Sequence, residues 1–223
     1  MHNQQTAKRS DHDIPALRAL GEDVTTFCAA RLARVAGTHG LVLDGLLLDE
    51  SSISEPAVAG VACWSRLHPL AGKSFWTGSL STELAELPFA DDAFCAVLLR
   101  FAEAMQPPLA AELARVLAPH GKLLIAGFHP RSGWRRGVAP GRWERALRTA
   151  GLDVVPAKRC GAPWPRPRGA SGLPHWLVGS MGGAWVIEAR RNVLASLSLR
   201  RAAANRRAVE HNALLPGAHR QCA

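Results

Sequence analysis

The sequence predicts an α/β sandwich built on a mostly parallel sheet. Three observations carry this. Residues 94–99 (FCAVLL) and 122–128 (KLLIAGF) are dense apolar runs with almost no polar interruption, the pattern of strands covered on both faces. Between them, after Pro107 and Pro108, Leu109, Leu113, Val116 and Leu117 recur at helical spacing. Beyond them another amphipathic segment and two further strand-like runs continue the alternation.

Each element follows in chain order. Residues 1–13 are polar and are expected to be disordered. Leu17, Leu20, Val24, Phe27, Leu32 and Val35 recur at helical intervals and predict one or two helices, broken near Gly21. Residues 40–45 (GLVLDG) read as a short strand ending at Asp44-Gly45, and residues 57–64 (AVAGVACW) as a second. A loop follows, with a third short strand near Phe75-Trp76-Thr77. After the 94–99 strand, the helix over 109–117 ends in a Pro-His-Gly turn, and the 122–128 strand begins. Residues 141–152 predict an amphipathic helix with Trp143, Leu147 and Ala150 on one side and Gly151 at its end. Two strands, 153–159 and 182–191, flank a proline-rich loop. The domain is expected to span 14–191, with a basic tail at 192–223 that is partly helical around 193–210.

Composition narrows the class. The chain has 223 residues, 48% hydrophobic and 20% charged, which suits one globular domain with a tail. No apolar stretch is long enough to span a bilayer, because Asp44 and Asp49 interrupt the best candidate. The polar start does not resemble a secretory signal. Five scattered cysteines, none at C-x-x-C spacing, read as reduced thiols of a cytoplasmic protein, with no metal site implied. Charge is uneven. Residues 1–121 sum to −5 and residues 122–223 to +14. A basic half of that kind can attract nucleic acid, anionic lipid or an acidic protein, and its simplest reading is a solubilising surface.

Neither a nucleophile elbow nor a phosphate-binding G-x-x-x-x-G-K-[ST] occurs. His129 follows the 122–128 strand, where catalytic groups in open sheets can sit, and a neutral imidazole there could accept a proton. Arginines near Trp134 and Trp143 could stack on bases or bind phosphate, or the indoles could pack on the sheet.

Residues 86–101 (ELPFADDAFCAVLLRF) and 111–134 (AELARVLAPHGKLLIAGFHPRSGW) resemble the second half of class I, type 11-like S-adenosylmethionine-dependent methyltransferases. The clear match covers 83–134. The resemblance implies a Rossmann-like sandwich with an antiparallel last strand, S-adenosyl-L-methionine as cofactor, and a small-molecule or macromolecular methyl acceptor. It places Glu83 and Leu84 at the adenine, and Leu99, Arg100 and Phe101 where cofactor and substrate are lined. Asp44 and Gly45 would face the cofactor from the first strand. Arg100 and His129 are the substrate-side candidates. Asp91 and Asp92 read as turn residues opening the fourth strand.

Three departures set a second functional reading beside the first. The turn after the first strand carries only Gly45 where the family is glycine-rich. The second strand, in the register 60–65, ends at Ala62 or Cys63, with no carboxylate for a ribose diol. Cys95 replaces the aspartate after the fourth-strand phenylalanine. The alternative is therefore a catalytically inactive methyltransferase-like domain. It would act as a partner-binding or regulatory module, with nucleic acid or a protein meeting its basic C-terminal half.

Overall fold

The computed structural model describes residues 13–45, 53–69, 75–78, 82–83, 86–101, 107–134, 139–163 and 182–191. The expectations for residues 1–12 and 192–223 lie outside them. The elements are α1 (Asp13–Leu32), β1 (Gly37–Asp44), β2 (Val61–Pro69), β3 (Phe75–Gly78), β4 (Thr82–Glu83), β5 (Phe94–Arg100), α2 (Pro107–Val116), β6 (Leu117–Phe128), α3 (Pro140–Thr149), β7 (Leu152–Cys160) and β8 (Ala184–Arg191). They form one eight-stranded sheet in the order β4-β3-β2-β1-β5-β6-β8-β7. The central strands β2, β1, β5 and β6 are parallel. The last strand, β8, is antiparallel to both β6 and β7, as expected. β3 is the third short strand expected near Phe75-Trp76-Thr77. Its antiparallel pairing with β4, which extends the sheet beyond β2, is not foreseen by the sequence.

Strand parity divides the core. Leu41, Leu43, Val97, Leu99, Leu123, Ile125, Trp185 and Ile187 pack on the face covered by α2 and α3. Val42, Ala96, Leu98, Leu124, Ala126, Ala184 and Val186 pack on the face covered by α1. Successive side chains in a strand point to opposite faces, so unbroken apolar runs are what a two-sided core requires.

α1 is one continuous helix through Gly21, which corrects the expected break. A Cβ there would fall 2.5 Å from the Ile53 side chain. The glycine serves a close approach of the β1–β2 crossover to the helix, not a helix end. Gly151 does end a helix. Its φ of +84° places it in the left-handed region after α3, and its N–H bonds back to Arg148 O at 3.0 Å. β7 is an edge strand, and Pro156 and Lys158 lie where its register shifts, features that discourage further strand pairing.

α1 is tied to the sheet by a charged cluster. Arg31 lies 3.6 Å and Lys122 3.7 Å from the Glu188 carboxylate, and Arg190 donates to it at 2.8 Å. Lys122 Nζ also donates to Arg31 O at 2.7 Å in the last turn of α1. Burial alone would push the Glu188 carboxyl up, but Arg190, Lys122 and Arg31 together outweigh it and hold it below its ordinary value. A depressed folded-state value contributes stability that is present above the unfolded value, about 4.3, and lost as pH falls through the folded one. Glu188→Gln is expected to remove that component. Urea midpoints measured from pH 7 down to pH 3 should fall less steeply in the variant than in the parent, and parallel slopes would refute the coupling.

Candidate functional site

The strand order reverses at β1, since the chain runs from β1 outward through β2 and β3, then returns to β5 on the other side. In open sheets a ligand crevice lies beyond the carboxyl ends at such a point. β1 and β5 are adjacent and end level, with Leu43 opposite Leu99 and Asp44 opposite Arg100. Asp44, Gly45, Leu99, Arg100 and Phe101 are therefore brought together at one edge.

Their side chains turn in different directions. Leu99 is fully buried on the α2/α3 face. Asp44 and Arg100 turn to the α1 face and form a two-pronged ion pair, Arg100 Nε to Asp44 Oδ1 at 2.5 Å and Nη2 to Oδ2 at 2.8 Å. Arg100 Nη1 donates to Thr25 Oγ1 at 2.6 Å and to Ser54 O at 2.9 Å. Arg66 Nε adds a third donor to Asp44 Oδ2 at 2.8 Å. Arg100 is 0% exposed and Asp44 4%. The guanidinium expected on the substrate side thus joins β5, β1, α1 and the crossover in one network.

Phe101 is next. Its φ of +53° lies in the left-handed region, which a bulky residue rarely adopts. It is held there by its N–H donating to Ala126 O at 2.7 Å and by its ring packing on Phe128 at 4.6 Å between centroids. Gly45 N–H donates to Arg100 O at 2.6 Å, closing the β1 turn against β5.

At β2 the structure corrects the sequence. The strand continues to Pro69, and its residue level with Asp44, one step past the Leu43–Leu67 pair, is His68. Cys63 pairs with His39 near the other end. Arg66 and His68 disguised the strand, because polar residues break an apolar run. Asp44 offsets the charge of Arg66. There is still no carboxylate at that strand end. Glu83 pairs with Phe75 of the hairpin, and Trp76 with Pro69, which carries the Glu83 backbone past the end of β2. Leu84 lies outside the described residues.

His129 follows β6, two strand positions or about 10 Å from β1. Its Nδ1 accepts the Arg131 backbone N–H at 3.2 Å, so in the neutral ring the proton is on Nε2. The ring is then a donor there, and not the free base the sequence suggested. Burial, then the charges of Arg159 and Arg131, lower its pKa and favour that neutral form. Trp134 donates its indole N–H to Ala162 O at 2.6 Å and packs on the α1-side core. Trp143 is buried under α3. Both indoles pack on the sheet, which is the second of the two roles open to them. Of the cysteines, Cys28, Cys63, Cys95 and Cys160 are free thiols. Burial pushes Cys28 up and Cys160 up to about 12, so these two are poor nucleophiles. No helix among the described residues is long and apolar enough to cross a membrane.

No protein-family model matches the chain, and no curated protein matches it. Solved structures do resemble it. A SAM-dependent methyltransferase from Aquifex aeolicus is 12% identical with a TM-score of 0.48, over 82% of this chain and 99% of that one. The complex of the Haloferax volcanii Trm112 methyltransferase activator with a methyltransferase gives 18% and 0.46, over 82% and 96%. A SAM-dependent methyltransferase from Mesorhizobium loti gives 15% and 0.45, over 82% and 99%. At these identities and TM-scores the likeness is one of fold alone.

Proposed function

We propose that this protein is an S-adenosylmethionine-dependent methyltransferase whose cofactor lies across the carboxyl edge of β1 and β5. The observation that supports this most directly is the level ending of those two strands at the reversal of strand order, with Asp44 opposite Arg100. Phe101, strained just beyond, adds to it, because backbone strain collects at functional sites.

The residues fit the cofactor in part. Glu83 is carried to the carboxyl edge by the hairpin register, where it and Leu84 would hold the adenine. At the ribose the fit is poor, since His68 stands in β2 level with Asp44 and the Asp44 oxygens are taken by Arg100 and Arg66. When bound, the cofactor supplies an already activated methyl carbon, so alignment of the acceptor matters more than acid–base catalysis. His129, as an Nε2 donor, would orient an acceptor oxygen. Arg100 acts through Asp44 and the backbone it pins.

The second reading is a methyltransferase-like module without catalysis, and the internal neutralisation of Asp44 favours it. Calorimetric titration with S-adenosylhomocysteine separates the two. Micromolar binding is expected for the enzyme. No heat at millimolar ligand would overturn the enzyme reading and leave the module.

A further inference from the structure

The Glu112-x-x-Arg115 pair on α2 has no role in the chemistry above, yet it makes an unusually complete set of bonds. We propose that it is a positioning clamp for the chain segment that carries the adenine wall. The proposal rests on the cofactor reading for its ligand half and on geometry alone for its clamp half.

The segment that leads into β5 at Phe94 lies against the α2/α3 side of the core through Leu87 and Phe89. It has no helix or strand of its own over 86–93, so side chains must satisfy its backbone groups. Two residues do most of this. Arg115 Nη2 donates to Leu87 O at 2.9 Å, and Nη1 donates to Phe89 O at 2.8 Å and to Asp91 Oδ1 at 2.8 Å. Glu112 Oε2 accepts the Leu87 N–H at 3.2 Å. The Arg115 carbonyl accepts the Asp92 N–H at 3.0 Å, where φ is +63°. Glu112 in turn holds the guanidinium through Nε at 3.0 Å and Nη2 at 2.7 Å. All five guanidinium N–H groups are thereby engaged. Leu87 is buried, and Phe89 packs edge-on against Phe94 at 4.8 Å, so the held loop also seals the core. Asp92 is fixed at its far end by Arg191.

The clamp begins at Leu87, four residues after Glu83. Holding Leu87 therefore fixes the end of the segment next to the proposed adenine wall, within about 14 Å of Glu83 along the chain. The need for a planar, five-donor fork explains arginine at this position. Lysine has three donors on a point charge and cannot bridge two carbonyls and two carboxylates in that plane. The bonds also hold the Glu112 carboxyl below its ordinary value, chiefly through the Arg115 hydrogen bond.

The test uses the full chain with Arg115→Ala, Arg115→Lys and Glu112→Gln. Hydrogen exchange is followed by mass spectrometry, and S-adenosylhomocysteine is titrated well below each melting temperature. The expected result is faster exchange confined to about residues 84–92 in both arginine variants, with binding weakened about tenfold or more, equivalent to ~1.4 kcal/mol. Lysine is expected not to rescue. Unchanged or uniformly raised exchange would overturn the clamp. Faster local exchange with unchanged affinity would overturn its role at the ligand. If the parent itself binds nothing, the cofactor reading and the ligand half fall together, and the exchange result alone decides the clamp.

Discussion

Replacing Arg100 by methionine should cost this protein about 3–5 kcal/mol of folding free energy, the usual effect of stranding one member of a buried ion pair. The guanidinium has 0% side-chain exposure and the Asp44 carboxylate 5%. With Arg100 gone, Asp44 keeps only the Arg66 donor among the described residues, while Thr25 and the Ser54 carbonyl lose a partner. Buried polar groups without partners carry their full desolvation cost. The double variant Asp44→Leu with Arg100→Met should recover much of the loss, because an apolar pair of similar volume is often as stable as a buried ion pair. Arg66, 23% exposed already, keeps access to water in that variant. Urea denaturation of the two single variants and the double variant supplies the cycle. A single-variant loss under 1 kcal/mol would mean that the pair is not sequestered as described.

A second large effect is expected at Phe128. Phe128→Ala should cost about 3–5 kcal/mol, as phenylalanine-to-alanine changes in packed cores do, since Phe128 is 0% exposed. The same ring backs Phe101, whose positive φ persists only because its surroundings over-determine it. Phe101 itself offers a sharper test. Alanine normally exceeds glycine in stability, but at φ +53° a side chain with a Cβ carries a strain of about 1–2 kcal/mol. Phe101→Gly should therefore be more stable than Phe101→Ala, reversing the ordinary order. Thermal melts of the two variants decide it. Alanine above glycine would show that the left-handed turn is not adopted in solution.

Much of this arrangement was legible in the sequence, for a local reason. A strand covered on two faces must be apolar at every position, and 94–99 and 123–128 have that pattern. α3 announced itself by Trp143 and Leu147 at helical spacing and by Gly151 after its end. The misreadings have local causes too. The sequence places β2 too early because Arg66 and His68 look like loop residues until Asp44 is known to lie beside Arg66. Gly21 reads as a break because the sequence does not show that Ile53 presses on it. That β1 and β5 end level side by side agrees with the expected parallel sheet, but the sequence does not show the side-chain directions there. Arg100 follows Ala96 and Leu98 in parity, so its face could be deduced, yet not that α1 would cover that face.

The sequence by itself determined the order of strands and helices, the two-sided core and the unequal charge of the two halves, since these rest on periodicity and composition within short windows. Only the tertiary structure decided which charges meet. Asp44 and Arg100 are 56 residues apart, Thr25 and Arg100 are 75 apart, and Arg31 and Lys122 are 91 apart. Charge is legible along a chain, but its partner is chosen by strand register and by the helix that closes over it, and those are properties of the packed sheet.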